Sequence, residues 1–404
     1  MKSILSIPRR KFVLAILLFS FTALMLPPFI RPGSAQGGVW TTKTPMPTAR
    51  SAFAVGEVNG VLYAVGGSTA RPYVQPLPDS TSGVVEAYDP TTDSWTTKTS
   101  MPTPRANLAV GVINGIVFAV GGQHIGGAIL STVEAYHPAT DTWTIKAPMP
   151  TARYGLGVAV INGILYAVGG HNGASIVATL EAYDPVTDSW TTKAPMPTPR
   201  YLLGAAALNG SLYALGGVNQ PVIYATMEAY DPGTDTWMTK APMLGPRGSF
   251  GVSALNGKLY VAGGGNGVIV LATAETYDPT TGTWLPIAPM STARYYPGTG
   301  AAIGSFYVIG GTTDDIGAFS IVEAFMPATP TPTPTPNGGP NGGPGGNGQG
   351  GPNGGPNNGH HGQMGQVGPP TNKDQCKSGG WQTFNTPRTF KNQSDCIQFV
   401  NTDR

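Results

Sequence analysis

A Gly-Gly pair that closes a short apolar strand recurs six times in this chain, at Gly66-Gly67, Gly121-Gly122, Gly169-Gly170, Gly216-Gly217, Gly263-Gly264 and Gly310-Gly311. The intervals are 55, 48, 47, 47 and 47 residues. A fixed period near that length, built from short strands, folds as a propeller or an array, because one unit cannot bury its apolar face alone. Each pair closes a short apolar strand that begins at a turn signal, as in "NGVLYAVGG", "NGILYAVGG" and "NGKLYVAGG". Asn-Gly suits the two-residue type I′ hairpin turn, which needs φ > 0 at both central positions.

The fourth unit shows the full pattern. "YLLGAAALNG" predicts a first strand and its turn, and "SLYALGG" a second strand. "TMEAYDP" alternates with period two and ends in a turn, and "TWMTKAPM" is a fourth strand before the linker "LGPR". Four antiparallel strands make one propeller blade, with the small apolar residues of the first two at its crowded inner part. The sixth unit lacks a Trp-bearing fourth strand, whereas "VWTTKTPMPTAR" at residues 39–50 is a fourth strand without a blade. Trp40 precedes Trp95 by 55 residues, matching the first Gly-Gly interval. The N-terminal strand is therefore expected to complete the sixth blade and close the ring, which removes the open sheet edges.

Tyr and Trp recur with six residues between them, at Tyr88/Trp95, Tyr136/Trp143, Tyr183/Trp190, Tyr230/Trp237 and Tyr277/Trp284. Linkers like "MPTPR" end in Arg50, Arg105, Arg153, Arg200, Arg247 and Arg294. With the Gly-Gly pairs, these motifs resemble the kelch-repeat family of secreted bacterial type over about residues 38–327. The sixth unit departs from the pattern, with Phe325 in place of Tyr. The expected fold is all-β: a six-bladed kelch-type propeller at residues 36–327, closed by an N-terminal strand.

The chain ends differ in composition. "PRRK", the apolar run "FVLAILLFSFTALML" and "GSAQ" predict a signal peptide at residues 1–35, with cleavage before Gln36 and a secreted or cell-surface protein. The alternative is a retained anchor, although Pro27-Pro28 interrupts the span and fifteen apolar residues are short for a bilayer. Residues 328–370, rich in Thr-Pro and then Gly, Pro and Asn, are expected to be a disordered linker. Residues 371–404 regain aromatic residues and resemble a small C-terminal module of secreted bacterial proteins. Its Cys376 and Cys396 are the only cysteines, and export makes their disulfide the expected state. Residues 36–327 hold 13 Lys/Arg against 18 Asp/Glu, a net charge of −5 with no basic patch, so nucleic acid is not an expected partner.

Within a repeat, residues common to every unit are scaffold, and residues that vary are free to bind. The strand-three glutamates (Glu86, Glu134, Glu181, Glu228, Glu275 and Glu323) and the Gly-Gly, Tyr and Trp positions fall in the first class. The arginines either pack the blades or ring the channel mouth. In an antiparallel blade, the loop between strands two and three shares a face with the linker into the next blade. That face is expected to gather Tyr154, Tyr201 and Tyr295, which follow linker arginines, with His124, His171, Asn172, Asn219, Gln220, Tyr224 and Asn266 from the loops. Flat rings with polar edges beside neutral amides suit a protein or carbohydrate ligand. His124 and His171 are read as equivalent loop positions in adjacent blades, but no third His or Cys completes a metal site, and no cofactor is expected. Asp314-Asp315 is a weak calcium signal.

The resemblance implies two functions. One is a monomeric recognition module with no catalytic set and no membrane span in its mature form. The other is an enzyme like the sialic-acid mutarotases among six-bladed kelch proteins, which needs an acid/base pair near the channel. A copper-radical oxidase of the family requires a propeller cysteine, which this chain lacks.

Overall fold

The computed structural model describes residues 37–69, 80–313 and 317–328. The expected signal peptide, linker, C-terminal module, Cys376–Cys396 pair and Asp314-Asp315 lie outside the described residues. Six antiparallel four-stranded sheets follow one another around an axis. Blade four is typical, with strands Gly204–Leu208, Ser211–Leu215, Met227–Asp231 and Thr236–Lys240. The first strands of all six blades touch their neighbours around the axis, blade six against blade one included. Among the described residues the one helical element is a 3₁₀ turn, Ile125–Gly127, and no helix is long and apolar enough to cross a membrane.

Blade six consists of Gly298–Ala302, Ser305–Ile309, Val322–Pro327 and the N-terminal strand Gly38–Lys43. The last two pair in register from Gly38 opposite Pro327 to Lys43 opposite Val322. Trp40 therefore stands opposite Phe325, as Trp95 stands opposite Tyr88 in blade one. The ring is closed by the strand expected from the Trp interval.

The core is divided among the blade junctions. Each apolar cluster joins two neighbours, and that between blades six and one contains Ile309, Val322 and Ala324 on one side and Phe53, Leu62 and Tyr88 on the other. Fully burying a Leu, Val or Phe side chain contributes about 1.5–3 kcal/mol. No blade obtains that alone.

Backbone hydrogen bonds stitch the same junctions. The second glycine of each Gly-Gly pair donates its N–H to the carbonyl of the next blade's linker arginine, from Gly67 to Arg105 around to Gly311 to Arg50. This close approach explains the glycines. A Cβ on Gly169, at φ +64°, would lie 2.5 Å from the Arg200 carbonyl oxygen. The tryptophans add an outer stitch. Trp95 Nε1 donates to Thr44 O, and the pattern runs around the ring to Trp40 Nε1 and Ala288 O.

In blades one to four the turn before strand four adds Asp93, Asp141, Asp188 and Asp235. Each accepts the hydroxyl proton of its own blade's tyrosine at 2.5–2.6 Å and a backbone N–H from the preceding blade. The tyrosine hydroxyl, then the backbone N–H, holds each carboxyl below its usual range. Gly282 takes this position in blade five.

Five hairpins turn through Asn-Gly as expected, with asparagine φ near +50°. The sixth turns through Ile303-Gly304, with Ile303 at φ +46° and 56% exposed. A β-branched residue in left-handed backbone is strained, whereas Asn tolerates it. Ile303→Asn is expected to stabilise the propeller by about 1 kcal/mol, raising Tm by about 2 °C. A calorimetric Tm below that of the parent would contradict this.

Candidate functional site

The linker arginines do not reach the channel mouth. Arg50, Arg105, Arg153, Arg200, Arg247 and Arg294 are buried, each paired with the strand-three glutamate of its own blade. The nitrogen–oxygen distances are 2.5–2.8 Å in blades one to five, and Arg294 pairs with Glu323 in blade six. Burial pushes the Arg153 guanidinium down to about 10, against the opposing charge of Glu181. The arginines also donate to backbone carbonyls at the Gly-Gly bends, as Arg50 does to Gly66 and Val84. They are blade anchors, and so are the glutamates.

Two residues beyond each arginine the chain enters the left-handed region, at Ala52, Asn107, Gly155, Leu202, Ser249 and Tyr296, with φ of 51–60°. The N–H of each bonds the carbonyl of its equivalent in the preceding blade at 2.7–3.0 Å. The chain of donors runs from Asn107 to Ala52 to Tyr296 and on through Ser249, Leu202 and Gly155 back to Asn107. This closed ring of six backbone hydrogen bonds surrounds the axis. Left-handed backbone costs about 1–2 kcal/mol at each of the five non-glycine residues, and the closed ring holds them there. The residue types share nothing, so the sequence carried no signal for it.

The ring rims an axial depression of about 450 Å³, floored by Phe53, Leu108, Leu156, Leu203, Phe250 and Pro297. Asn107, Ser249 and Tyr296 bring the polar side chains among its lining residues.

Beside this depression the sequence-predicted residues divide. Tyr154, His171 and Tyr201 come together. Tyr154 pairs with His171 through the backbone, and their rings lie 5.3 Å apart. Tyr201 of the next blade stands edge-on to both, at 6.2 Å from Tyr154 and 5.8 Å from His171. All three are half-buried. Burial, and then Tyr201, raises the Tyr154 hydroxyl above the ordinary tyrosine range. His171 Nδ1 accepts the Gly173 N–H at 2.9 Å, so the neutral ring carries its proton on Nε2.

Tyr295 serves a blade junction. Its ring occupies the space beside Gly265 of blade five, where an added Cβ would lie 2.0 Å from Tyr295 Cε1. The junction before it reverses the sizes, with Gly248 against Val218.

The amides are engaged in the loops. Asn172 Oδ1 accepts from Ala174 and Ser175 N–H, and Asn266 Oδ1 from Val268 and Ile269 N–H. Asn219 Nδ2 donates to the Pro199 carbonyl at 3.1 Å. Gln220 is exposed before a cis bond to Pro221, and half-buried Tyr224 donates its N–H to Gly217.

The reading of His124 and His171 as equivalent positions is corrected. Gln123 holds the bridge to Ala106 that His171 makes to Tyr154. His124 lies one residue further on and donates Nδ1–H to the Pro104 carbonyl at 2.5 Å, the role Asn219 has in blade four. The Gly-Gly count gives this offset directly. Among the described residues no three His, Cys, Asp or Glu side chains group as a metal site.

Six four-stranded blades around an axis define the chain as a β-propeller. The Kelch motif model matches residues 49–102, 104–150, 152–197, 199–244 and 246–291, and the chain belongs to the kelch-repeat family. It is 36% identical over 96 residues to Kelch-like ECH-associated protein 1B of Danio rerio, covering 24% of this chain and 16% of that protein. It is also 36% identical over 81 residues to Influenza virus NS1A-binding protein of Homo sapiens, covering 20% of this chain and 11% of that protein. The match therefore spans less than a fifth of either relative. Among solved structures, that of YjhT aligns with a TM-score of 0.60 and 18% identity, over 69% of this chain and 95% of that one, a likeness of fold.

Proposed function

We propose that the propeller is a recognition module of an exported protein, binding a polypeptide partner on the face formed by the two-three loops and the interblade linkers. The observation that carries this is the Tyr154–His171–Tyr201 cluster beside the apolar axial depression. Partly exposed aromatic rings next to a concave apolar floor match the anchor chemistry of protein interfaces. Two relatives carry names that describe binding or association, with NS1A and ECH. Export rests on the basic, apolar and small-residue order of residues 1–35, and cleavage before Gln36 would leave the closing strand at the mature N-terminus. A monomer fits a ring whose six junctions are all filled by its own chain.

The mutarotase reading requires an acid/base pair at the channel. Among the described residues, the side chains lining the axial depressions include no carboxylate, imidazole or amine. That favours recognition over sugar chemistry.

The test is a displayed peptide library panned on the propeller, with a glycan array run in parallel. Peptides selected on the parent are expected to bind the Tyr154→Ala/Tyr201→Ala variant at least ~10-fold more weakly, in keeping with the loss of interface anchors. The variant's Tm should stay within a few degrees. Selected peptides that bind a folded variant undiminished would move the site elsewhere, and glycans retained in place of peptides would change the ligand class.

A further inference from the structure

Blade five departs from the repeat where its linker meets the buried ion pair. In blades one to four the linker threonine, at Thr48, Thr103, Thr151 and Thr198, donates its hydroxyl to the strand-three glutamate at 2.7–2.8 Å. Blade five reads "MLGPR" where blade one reads "MPTAR", so Gly245 stands in the threonine's place. A Cβ added to Gly245 would meet nothing within 4 Å. Leu244 replaces the proline, and its N–H bonds Glu275 at 2.8 Å.

The consequence is a pocket of about 580 Å³, open to solvent, between this linker and blade five's outer strands. Arg247 and Glu275 are among its lining residues, and Leu244, Pro246, Leu271 and Pro286 give it apolar walls. Pro286 stands opposite Glu275 where blades one, three and four have threonine. Arg247 is 4% exposed, while the other five linker arginines are fully buried. Its Nε, like those of Arg105 and Arg200, has no hydrogen-bond partner among the described residues, whereas Arg50 and Arg294 place theirs on the linker carbonyls of Thr48 and Thr292.

We propose that this pocket binds a small neutral polyol, one hydroxyl of which replaces the missing threonine hydroxyl by donating to Glu275 and accepting from Arg247 Nε–H. A hydroxyl is the compact group that can do both. The ion pair has no net charge, so a neutral ligand leaves its balance intact, and the proline and leucine walls suit the C–H surface of a sugar or similar carbon chain. The site is separate from the aromatic cluster and does not depend on the peptide-binding reading.

The test uses the full chain with labelled leucine methyl groups, titrated with glycerol and with methyl α-glucopyranoside, and with tetrahydropyran as a ring that lacks hydroxyls. Both polyols are expected to shift the Leu244 and Leu271 methyl signals saturably. Tetrahydropyran should bind at least ~10-fold more weakly, the usual cost of losing a hydrogen bond to a charged group. Gly245→Thr restores the repeat and should weaken polyol binding by the same factor at an undiminished Tm, while Tyr154→Ala/Tyr201→Ala should leave it unchanged. Gly245→Ser provides the same comparison if the threonine variant does not fold. Shifts that never saturate, equal binding by tetrahydropyran, or unchanged polyol binding in the folded Gly245 variant would each overturn the proposal.

Discussion

Removing residues 36–44 is expected to lower the propeller's Tm by on the order of 10 °C and to make it associate, although Met46 and Arg50 stay in place. The loss is concentrated in one strand. Gly38–Lys43 pairs with Val322–Pro327 along its whole length. The Trp40 ring packs 5.3 Å from Phe325 and 6.2 Å from Phe306, and its Nε1 bonds Ala288 O across the junction with blade five. Truncating a fully buried tryptophan costs about 3–5 kcal/mol, and the half-buried Trp40 should lose part of that in Trp40→Ala. The remainder is the unpaired edge of Val322–Pro327, a template for another chain. A peptide of residues 36–44 added in trans should therefore restore Tm in a concentration-dependent way. Calorimetry with light scattering measures both effects. A truncated chain that melts with the parent and stays monomeric would show that closure does not hold the ring.

The strand was legible because its evidence is repeated. Trp40 could be recognised as a fourth-strand residue since five other tryptophans occupied that place, and its interval to Trp95 equalled the first Gly-Gly interval. At the sites that vary between blades the structure adds packing and loop roles that the sequence did not show. Asn172 and Asn266 were assigned to the ligand, yet each precedes a glycine, and their side chains fold the loop through bonds to N–H groups two and three residues on. Asn-Gly is a turn signal wherever it occurs. Tyr295 had the signature of an exposed anchor when compared only with Ser51 or Gly248. The information that placed it was Gly265, thirty residues earlier in the neighbouring blade, whose missing side chain makes room for the ring. Size compensation across a junction is invisible in a unit-by-unit alignment. The left-handed ring at Ala52, Asn107, Gly155, Leu202, Ser249 and Tyr296 is set by backbone closure, and no residue type marks it.

Arg200→Met is expected to cost about 3–5 kcal/mol, the range found when one partner of a buried ion pair is removed. Glu228 would remain buried with the Thr198 hydroxyl as its side-chain donor. The Thr226 and Ala214 carbonyls would also lose the guanidinium that reaches them at 3.1 Å. Those carbonyls determine the order of the related variants. Glu228→Gln keeps the arginine and its carbonyl bonds, and one amide oxygen can still accept from it, so the change should be milder than Arg200→Met. Arg200→Met with Glu228→Leu removes the uncompensated charge, which by itself is often neutral or stabilising. Here the double variant should recover only part of the loss, because the Thr226 and Ala214 carbonyls each lose a charged donor, Thr226 keeping the Gly216 N–H. Thermal midpoints at one scan rate give the ranking: the single arginine variant lowest, the double variant above it, the parent highest. A loss below about 1 kcal/mol for Arg200→Met would put the pair among exposed surface bridges and remove the arginines from the list of blade anchors. A double variant as stable as the parent would keep the charge argument but show that the carbonyls do not need the guanidinium. The repeated arginine is retained, on this account, because one side chain neutralises the glutamate, satisfies the bend after strand two, and presents its own carbonyl to the preceding blade's Gly-Gly pair.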